Sequence, residues 1–154
     1  MKVAVGGTFS PIHDGHIRLL KTALSKGTHI VIGLTSDKMA SDKKGKIENF
    51  EKRKNKLKSK LEEIKTNTKW DIVKINSPIG VTLDERFDAI VVTPETIHNA
   101  EKINKKRKEN GLEELKIIKV DLVLAEDGKP ISSTRIRQNE IDKHGNLVKK
   151  ERRP

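Results

Sequence analysis

The sequence has no cysteine, so disulfides and thiolate metal sites are excluded. Aromatic residues are nearly absent as well: Phe9, Phe50, Trp70 and Phe87 are all there are. A protein that stacks single-stranded bases on aromatic faces needs more than these. No apolar run approaches the roughly 20 residues of a membrane-spanning helix. Nothing at the start reads as a secretory leader. A soluble, cytoplasmic protein with no membrane partner is therefore expected.

What is abundant is charge. Charged residues make up 36% of the 154 residues and hydrophobic ones only 33%. That balance borders on the composition of disordered chains. The apolar residues are gathered into short runs, however, and the length suits one domain with its own core. Thirty-three Lys and Arg against 22 Asp and Glu give a net charge of +11. Such a field favours anionic partners: nucleic acid, anionic lipid or a phosphorylated small molecule. Many lysines sit among glutamates, as in EKRKNKLKSKLEEIK, which is the pattern of a solvated helix face. With so few aromatics, no nucleic-acid partner is expected.

Short β-rich runs alternate with helical patterns. The first strand is Lys2 to Val5, and a helix follows from about Asp14 to Lys26 with Ile17, Leu20, Ala23 and Leu24 on one face. Gly27 marks its end. Thr28 to Leu34 is a buried strand, and Ser36 to Lys46 a loop or short helix. A long helix is expected from Ile47 to Thr66, a strand from Trp70 to Ile75, and a loop from Ser77 to Glu85. The fourth strand, Phe87 to Val92, is almost continuously apolar, as a strand covered on both faces should be. Pro94 opens a helix to about Asn110, and Leu115 to Leu124 is a fifth strand. A last short helix begins at Ser132, and the basic segment from His144 reads as a loose tail. Alternating strands and helices imply an α/β fold with a parallel sheet and right-handed crossovers. Ligands of such sheets bind beyond the carboxyl ends of the strands, at the switch point in strand order.

That is where GGTFSPIHDGH, residues 6–16, falls. A glycine pair after a strand lets the backbone pass close to a phosphate, and Thr8 adds a hydroxyl donor. The helix starting near Asp14 turns its free N–H groups toward the same place. His13 and His16 are three residues apart and share a face on a helical first turn. Two imidazoles facing a phosphate can donate hydrogen bonds to a crowded anionic transition state. The same pieces also fit a plain strand-to-helix turn with Asp14 as its cap. Zinc fits poorly, because helical zinc pairs usually run i, i+4 with a carboxylate nearby. No protein-held metal is expected.

A second stretch, ISSTRIR from Ile131 to Arg137, bears on that choice. Ser132 and Ser133 can cap a helix, and the following N–H groups with Thr134 and Arg135 make another anion cradle. Two separate anion cradles in one α/β domain favour a phosphate site over a structural turn.

Together, GTF-x-P-x-H-x-GH and ISSTRIR resemble the paired signatures of the HxGH nucleotidyltransferase superfamily. GLTSDKMA after the second strand, DAIVVTPET in the fourth strand and its loop, and ISSTRIRQNEID are similar to archaeal-type phosphopantetheine adenylyltransferases. The resemblance spans about residues 2 to 145. It implies a single-domain, Rossmann-like, doubly wound sheet of five parallel strands over residues 1–145, followed by a basic tail over 146–154. It also implies the reaction: ATP and 4′-phosphopantetheine give dephospho-coenzyme A and pyrophosphate, in coenzyme A biosynthesis. Magnesium would be bound through the ATP phosphates.

Carried over residue by residue, His16 stabilises the α-phosphate and His13 is its partner. Gly7, Thr8 and Phe9 form the turn beneath the nucleotide and the acceptor phosphate. Ser132, Ser133 and Thr134 hold the β- and γ-phosphates, with Arg135 the cation beside them. A lysine after the second strand holds the acceptor phosphate. Lys38, Lys43, Lys44 and Lys46 lie there; Lys38 is the first choice and Lys44 the second. Thr93 and Glu95 are expected near the adenosine.

The chain departs from the pattern at Ser10, where many relatives have aspartate, and at His13, where the bacterial branch has threonine. TPETIHN lacks the arginine-bearing segment of that branch, so its ATP contacts do not transfer. Nicotinamide mononucleotide adenylyltransferases usually show a GRFQP-like turn, and cytidylyltransferases an RTxGxST motif; neither matches here. A basic nucleic-acid-binding module is the alternative of a different class. The archaeal branch is commonly monomeric, and a monomer is expected.

Overall fold

The computed structural model describes residues 1–41, 46–64, 66–80, 82–83 and 86–149. Five strands form one sheet in the order β3-β2-β1-β4-β5. They are β1 Lys2–Gly7, β2 His29–Thr35, β3 Lys69–Ile75, β4 Ala89–Val92 and β5 Lys116–Lys119. Every neighbouring pair is parallel. This is the doubly wound arrangement that the sequence leads one to expect. The order reverses between β1 and β4, so the switch point lies where the glycine-rich turn leaves β1.

Helices α1 (Asp14–Lys26) and α3 (Phe50–Glu63) cover one face, and α4 (Ile97–Glu109) covers the other. A short α2 (Asp37–Ala40) follows β2, and α5 (Ser133–Arg137) comes last. The alternation within β1 and β4 shows why both faces are filled. Val3, Val5, Ala89 and Val91 join the core under α1 and α3. Ala4, Ile90 and Val92 join the core under α4. A strand sandwiched in this way must be apolar at every position, and β4 is fully buried along all four residues.

The helices bury narrow stripes. In α3 only Phe50, Arg53, Leu57 and Leu61 are buried, a single stripe at helical spacing in an otherwise lysine-rich helix. Full burial of Leu57 and Leu61 contributes about 2 kcal/mol each. Asn49 caps α3, accepting from the Lys52 N–H, so the helix starts later than the expected Ile47. In α4, Asn104 clamps β5: its Nδ2 donates to the Leu115 carbonyl at 3.0 Å and its Oδ1 accepts the Leu115 N–H at 2.7 Å. Arg107, one turn on and 2% exposed, donates to the carbonyls of Glu113 and Thr82.

Two expectations change. The fifth strand is four residues long rather than running to Leu124. Its partner β4 ends at Val92, and the Val120 N–H takes the last partner, the Val92 carbonyl, at 2.7 Å. Beyond Asp121 the chain folds back on itself, with a bridge between Leu124 and Pro130, around a small core of Ala125, Ile131 and Ile141. The segment from His144 is also not loose up to Val148. Gly145 and Glu126 pair through the backbone, Glu126 accepts from the Leu147 N–H, and the Val148 N–H donates to the Glu140 carbonyl. Residues 150–154 of the expected tail lie outside the described residues. Among the described residues, no helix is long and apolar enough to cross a membrane.

Asn104→Ala would leave a buried N–H and a buried carbonyl of Leu115 unpaired. The expected cost is about 2–3 kcal/mol, seen as a lower urea midpoint at unchanged slope. A change below about 0.5 kcal/mol would show the clamp to be dispensable.

Candidate active site

Beyond the carboxyl ends of β1 and β4 lies a cavity of about 220 Å³ lined by the glycine-rich turn, both histidines, Thr93, Glu95 and the two serines Ser132 and Ser133. A second cavity, about 400 Å³, shares Gly6, Gly7 and Thr8 with the first. It opens along the α4 side of the sheet. Its walls are largely apolar, with Met39, Ile75, Pro78 and Ile103, and it also meets Thr35 and Asn99. The two cavities therefore share a wall that includes Thr8.

His13 is the N-cap of α1. Its Nδ1 accepts from the Gly15 N–H at 3.0 Å and the His16 N–H at 3.4 Å. His16 reciprocates, its Nδ1 accepting the His13 N–H at 3.2 Å. The rings stack with centroids 3.8 Å apart. This is a capping box built from two imidazoles. Its chemical consequence is direct. An Nδ1 that accepts from a backbone N–H carries no proton, so each neutral ring holds its proton on Nε2. Both rings line the cavity as donors. Burial pushes His13 down to about 4, partly offset by Asp14. Burial, then the neighbouring His13, pushes His16 down to about 3. At neutral pH both are uncharged.

Gly15 makes the cap possible. A Cβ there would fall 2.8 Å from His13 Cε1 and 3.0 Å from Nδ1, in a ring already fixed by two hydrogen bonds. Gly7 is similarly constrained, since a Cβ would sit 2.9 Å from the Phe9 ring. That ring is 2% exposed and stands 4.8 Å from the His16 ring. Phe9 has φ of 51°, a left-handed conformation that a bulky residue holds only when its surroundings impose it.

The C-terminal signature comes to the same place. Ser132 caps α5, accepting from the Arg135 N–H at 3.2 Å. The Ser133 hydroxyl donates to the Pro11 carbonyl at 3.0 Å, tying α5 to the glycine-rich turn across 122 residues of sequence. Arg137 reaches the same turn, donating to the Ser10 carbonyl and to Thr134 Oγ1.

Residues 4–139 match the cytidylyltransferase-like family. Phosphopantetheine adenylyltransferase of Methanosarcina barkeri is 48% identical, covering 96% of this chain and 93% of its own length. That of Archaeoglobus fulgidus is 47% identical, over 96% and 100%. The chain belongs to the cytidylyltransferase-like family, in its phosphopantetheine adenylyltransferase branch. A crystal structure of a protein of unknown function from Archaeoglobus fulgidus is 44% identical, covering 79% of this chain and 90% of its own, with a TM-score of 0.72.

In this cytidylyltransferase-like chain, the expected residues Gly7, Thr8, Phe9, His13, His16, Ser132 and Ser133 all line one cavity, together with Thr93 and Glu95. Thr134 stands one residue behind, accepting from Arg137. Arg135 does not take the expected position. Its guanidinium is held by Asp127, by Glu140 at 2.8 Å and by the Pro130 carbonyl at 3.2 Å, which fastens the C-terminal hairpin. The arginine at the turn is Arg137. Lys38 is exposed on α2 and lines neither cavity. Lys44 lies outside the described residues, as does Lys43.

Arg53 is a site-bordering residue that the sequence reading passes over. Its side chain has no exposed surface. It donates to the carbonyls of Glu48 and Thr8, to Thr35 Oγ1 and to Asp37 Oδ1. Buried arginine of this kind must satisfy its whole fork. The signal was available: Phe50, Arg53, Leu57 and Leu61 follow one helical stripe.

Two pH effects follow from the imidazole cap. Both folded-state values lie below the ordinary 6.5. As pH falls below that value the unfolded chain binds protons that the folded one refuses. Stability is therefore lost on acidification, by roughly 1.4 kcal/mol per pH unit for each histidine, down to the folded-state values. In histidine-edited NMR both rings should show the Nε2–H tautomer and no titration between pH 8 and 5. A ring titrating near its ordinary value would contradict the geometry.

Proposed function

We propose that the chain transfers the adenylyl group of ATP to 4′-phosphopantetheine, releasing pyrophosphate and forming dephospho-coenzyme A. The observation that carries this reading is the pair of stacked neutral imidazole donors in the cavity that Ser132 and Ser133 also line, with a second, more apolar cavity sharing Thr8 with it. ATP occupies the cavity lined by the two histidines and the two serines, its adenosine toward Thr93 and Glu95. It enters as its magnesium complex, the metal held by the phosphates. The flexible pantetheine arm lies in the apolar cavity, and the acceptor phosphate meets the nucleotide at Thr8.

An oxygen of the acceptor phosphate forms the new bond to the α-phosphorus, and the bond from that phosphorus to the pyrophosphate oxygen breaks in line. The attacking phosphate is already anionic, so no base need remove a proton. The protein's work is positioning and charge stabilisation. Negative charge on the α-phosphate oxygens is met by Nε2–H of His16, with His13 beside it, and by the Thr8 hydroxyl. A donor fixed in place before the reaction contributes about 3 kcal/mol to such a step. Ser132 and Ser133 meet the β- and γ-phosphates at the start of α5. Arg137 replaces Arg135 as the cation at the edge of this group. The proposed working unit is a cytoplasmic monomer.

Pyrophosphate release should require ATP and 4′-phosphopantetheine together, in a panel that also offers CTP and nicotinamide mononucleotide. Turnover with nicotinamide mononucleotide and none with phosphopantetheine would overturn the choice of acceptor. His16→Ala should lower kcat by roughly 100-fold or more with ATP affinity nearly unchanged, because its hydrogen bond matures in the transition state. Equal losses of ATP binding and rate would contradict that role.

A further inference from the structure

Behind Thr8 runs a directional chain of hydrogen bonds. Arg53 Nη1 donates to Thr35 Oγ1 at 3.1 Å, and Thr35 Oγ1 donates to Thr8 Oγ1 at 2.9 Å. The direction is forced by chemistry. A guanidinium has only donors, so the Thr35 hydroxyl must accept from it and turn its own proton elsewhere. Thr8 Oγ1 is the acceptor in reach, so Thr8 must in turn point its proton away from Thr35. Thr8 lines both cavities at their junction, and that is where its hydroxyl is free to donate.

We propose that Arg53 and Thr35 are positioning residues for the transfer: through this relay they fix the Thr8 hydroxyl as a hydrogen-bond donor to the phosphate being transferred. The inference rests on the assignment of Thr8 as a donor at the junction of the two cavities. Arg53 also holds the backbone there, since the same Nη1 donates to the Thr8 carbonyl at 3.3 Å. Its remaining bonds anchor the fork to Glu48, just before α3, and to Asp37, the first residue of α2. The guanidinium therefore cannot rotate away without breaking several contacts. A lysine could keep the charge and lose the fork. Without the relay, the Thr8 hydroxyl could donate back to Thr35 and present a lone pair to an anion, the wrong polarity for the step. Serine at position 35 preserves the relay, and valine preserves the shape while removing it.

The test is a cycle of variants read by steady-state kinetics with ATP and 4′-phosphopantetheine, each variant checked by circular dichroism and thermal melting. Thr35→Val should lower kcat about tenfold, the worth of one well-placed hydrogen bond, with KM for ATP unchanged. Thr35→Ser should restore most of it. In a Thr8→Val background, Thr35→Val should change kcat no further, because the hydroxyl it orients is gone. Should Thr35→Val melt below the assay temperature, Thr35→Ala supplies the second reading, with the same loss and the same disappearance in the Thr8→Val background. An undiminished kcat in Thr35→Val, a serine variant as slow as the valine one, or the same fold-loss in both backgrounds would overturn the relay. An undiminished kcat in Thr8→Val alone would instead strike the assignment of Thr8 on which the relay rests.

Discussion

The rest of the site depends on the reciprocal cap between His13 and His16. An α-helix must satisfy the free N–H groups of its first turn. Here two of them are taken by a ring nitrogen of His13, while the His13 N–H is taken by His16. That one arrangement sets four things. It starts α1 at the switch point of the sheet, and it stacks the two rings. It places the proton of each on Nε2, and it buries both enough to keep them neutral. Neutral donors suit a step whose charge is already supplied by phosphates and their metal. They stabilise developing negative charge without binding the ground state as tightly as a cation would.

The fold also uses buried arginines as struts in helices otherwise rich in lysine. Arg53 in α3 and Arg107 in α4 are both about fully buried, and each donates to carbonyls of chain segments distant in sequence. A lysine on these stripes would bring one compact charge and no fork. The two struts also have related places. Arg53 stands under the glycine-rich turn, while Arg107 holds the Thr82 carbonyl, between β3 and β4. The abundant lysines, by contrast, lie mostly on exposed helix faces. The net positive charge is thus largely a solvated surface, with few charges spent on architecture.

Much of this was legible in the sequence. The four-residue apolar run of β4 announces a central strand, and GGTFSPIHDGH directly after β1 announces a site at the switch point. The joining of that stretch to ISSTRIR also followed from pairing two anion cradles, and the Ser133 bond to Pro11 realises it. What escaped was whatever depends on direction. Arg135 and Arg137 read alike as cations in a short helix, yet they lie two residues apart and face opposite ways, one toward Asp127 and the other toward Ser10. Lys38 lies next in sequence to Asp37, a partner of Arg53, but points to solvent. The spacing of the two histidines does not reveal why glycine stands at position 15; the ring of His13 folded over it shows why a side chain is forbidden. The fifth strand was overextended because apolarity continues past the point where β4 stops offering partners.

The central claim is that the transferring phosphate is held by Nε2–H of His16 and the Thr8 hydroxyl, between the two cavities. A crystal structure of the protein with a non-hydrolysable ATP analogue and 4′-phosphopantetheine tests it most directly. The α-phosphate oxygens should lie about 3 Å from His16 Nε2, with the acceptor phosphate at Thr8 and the pantetheine arm along Met39 and Ile103. Phosphates seated away from both side chains, with the two imidazoles contacting only protein, would contradict it.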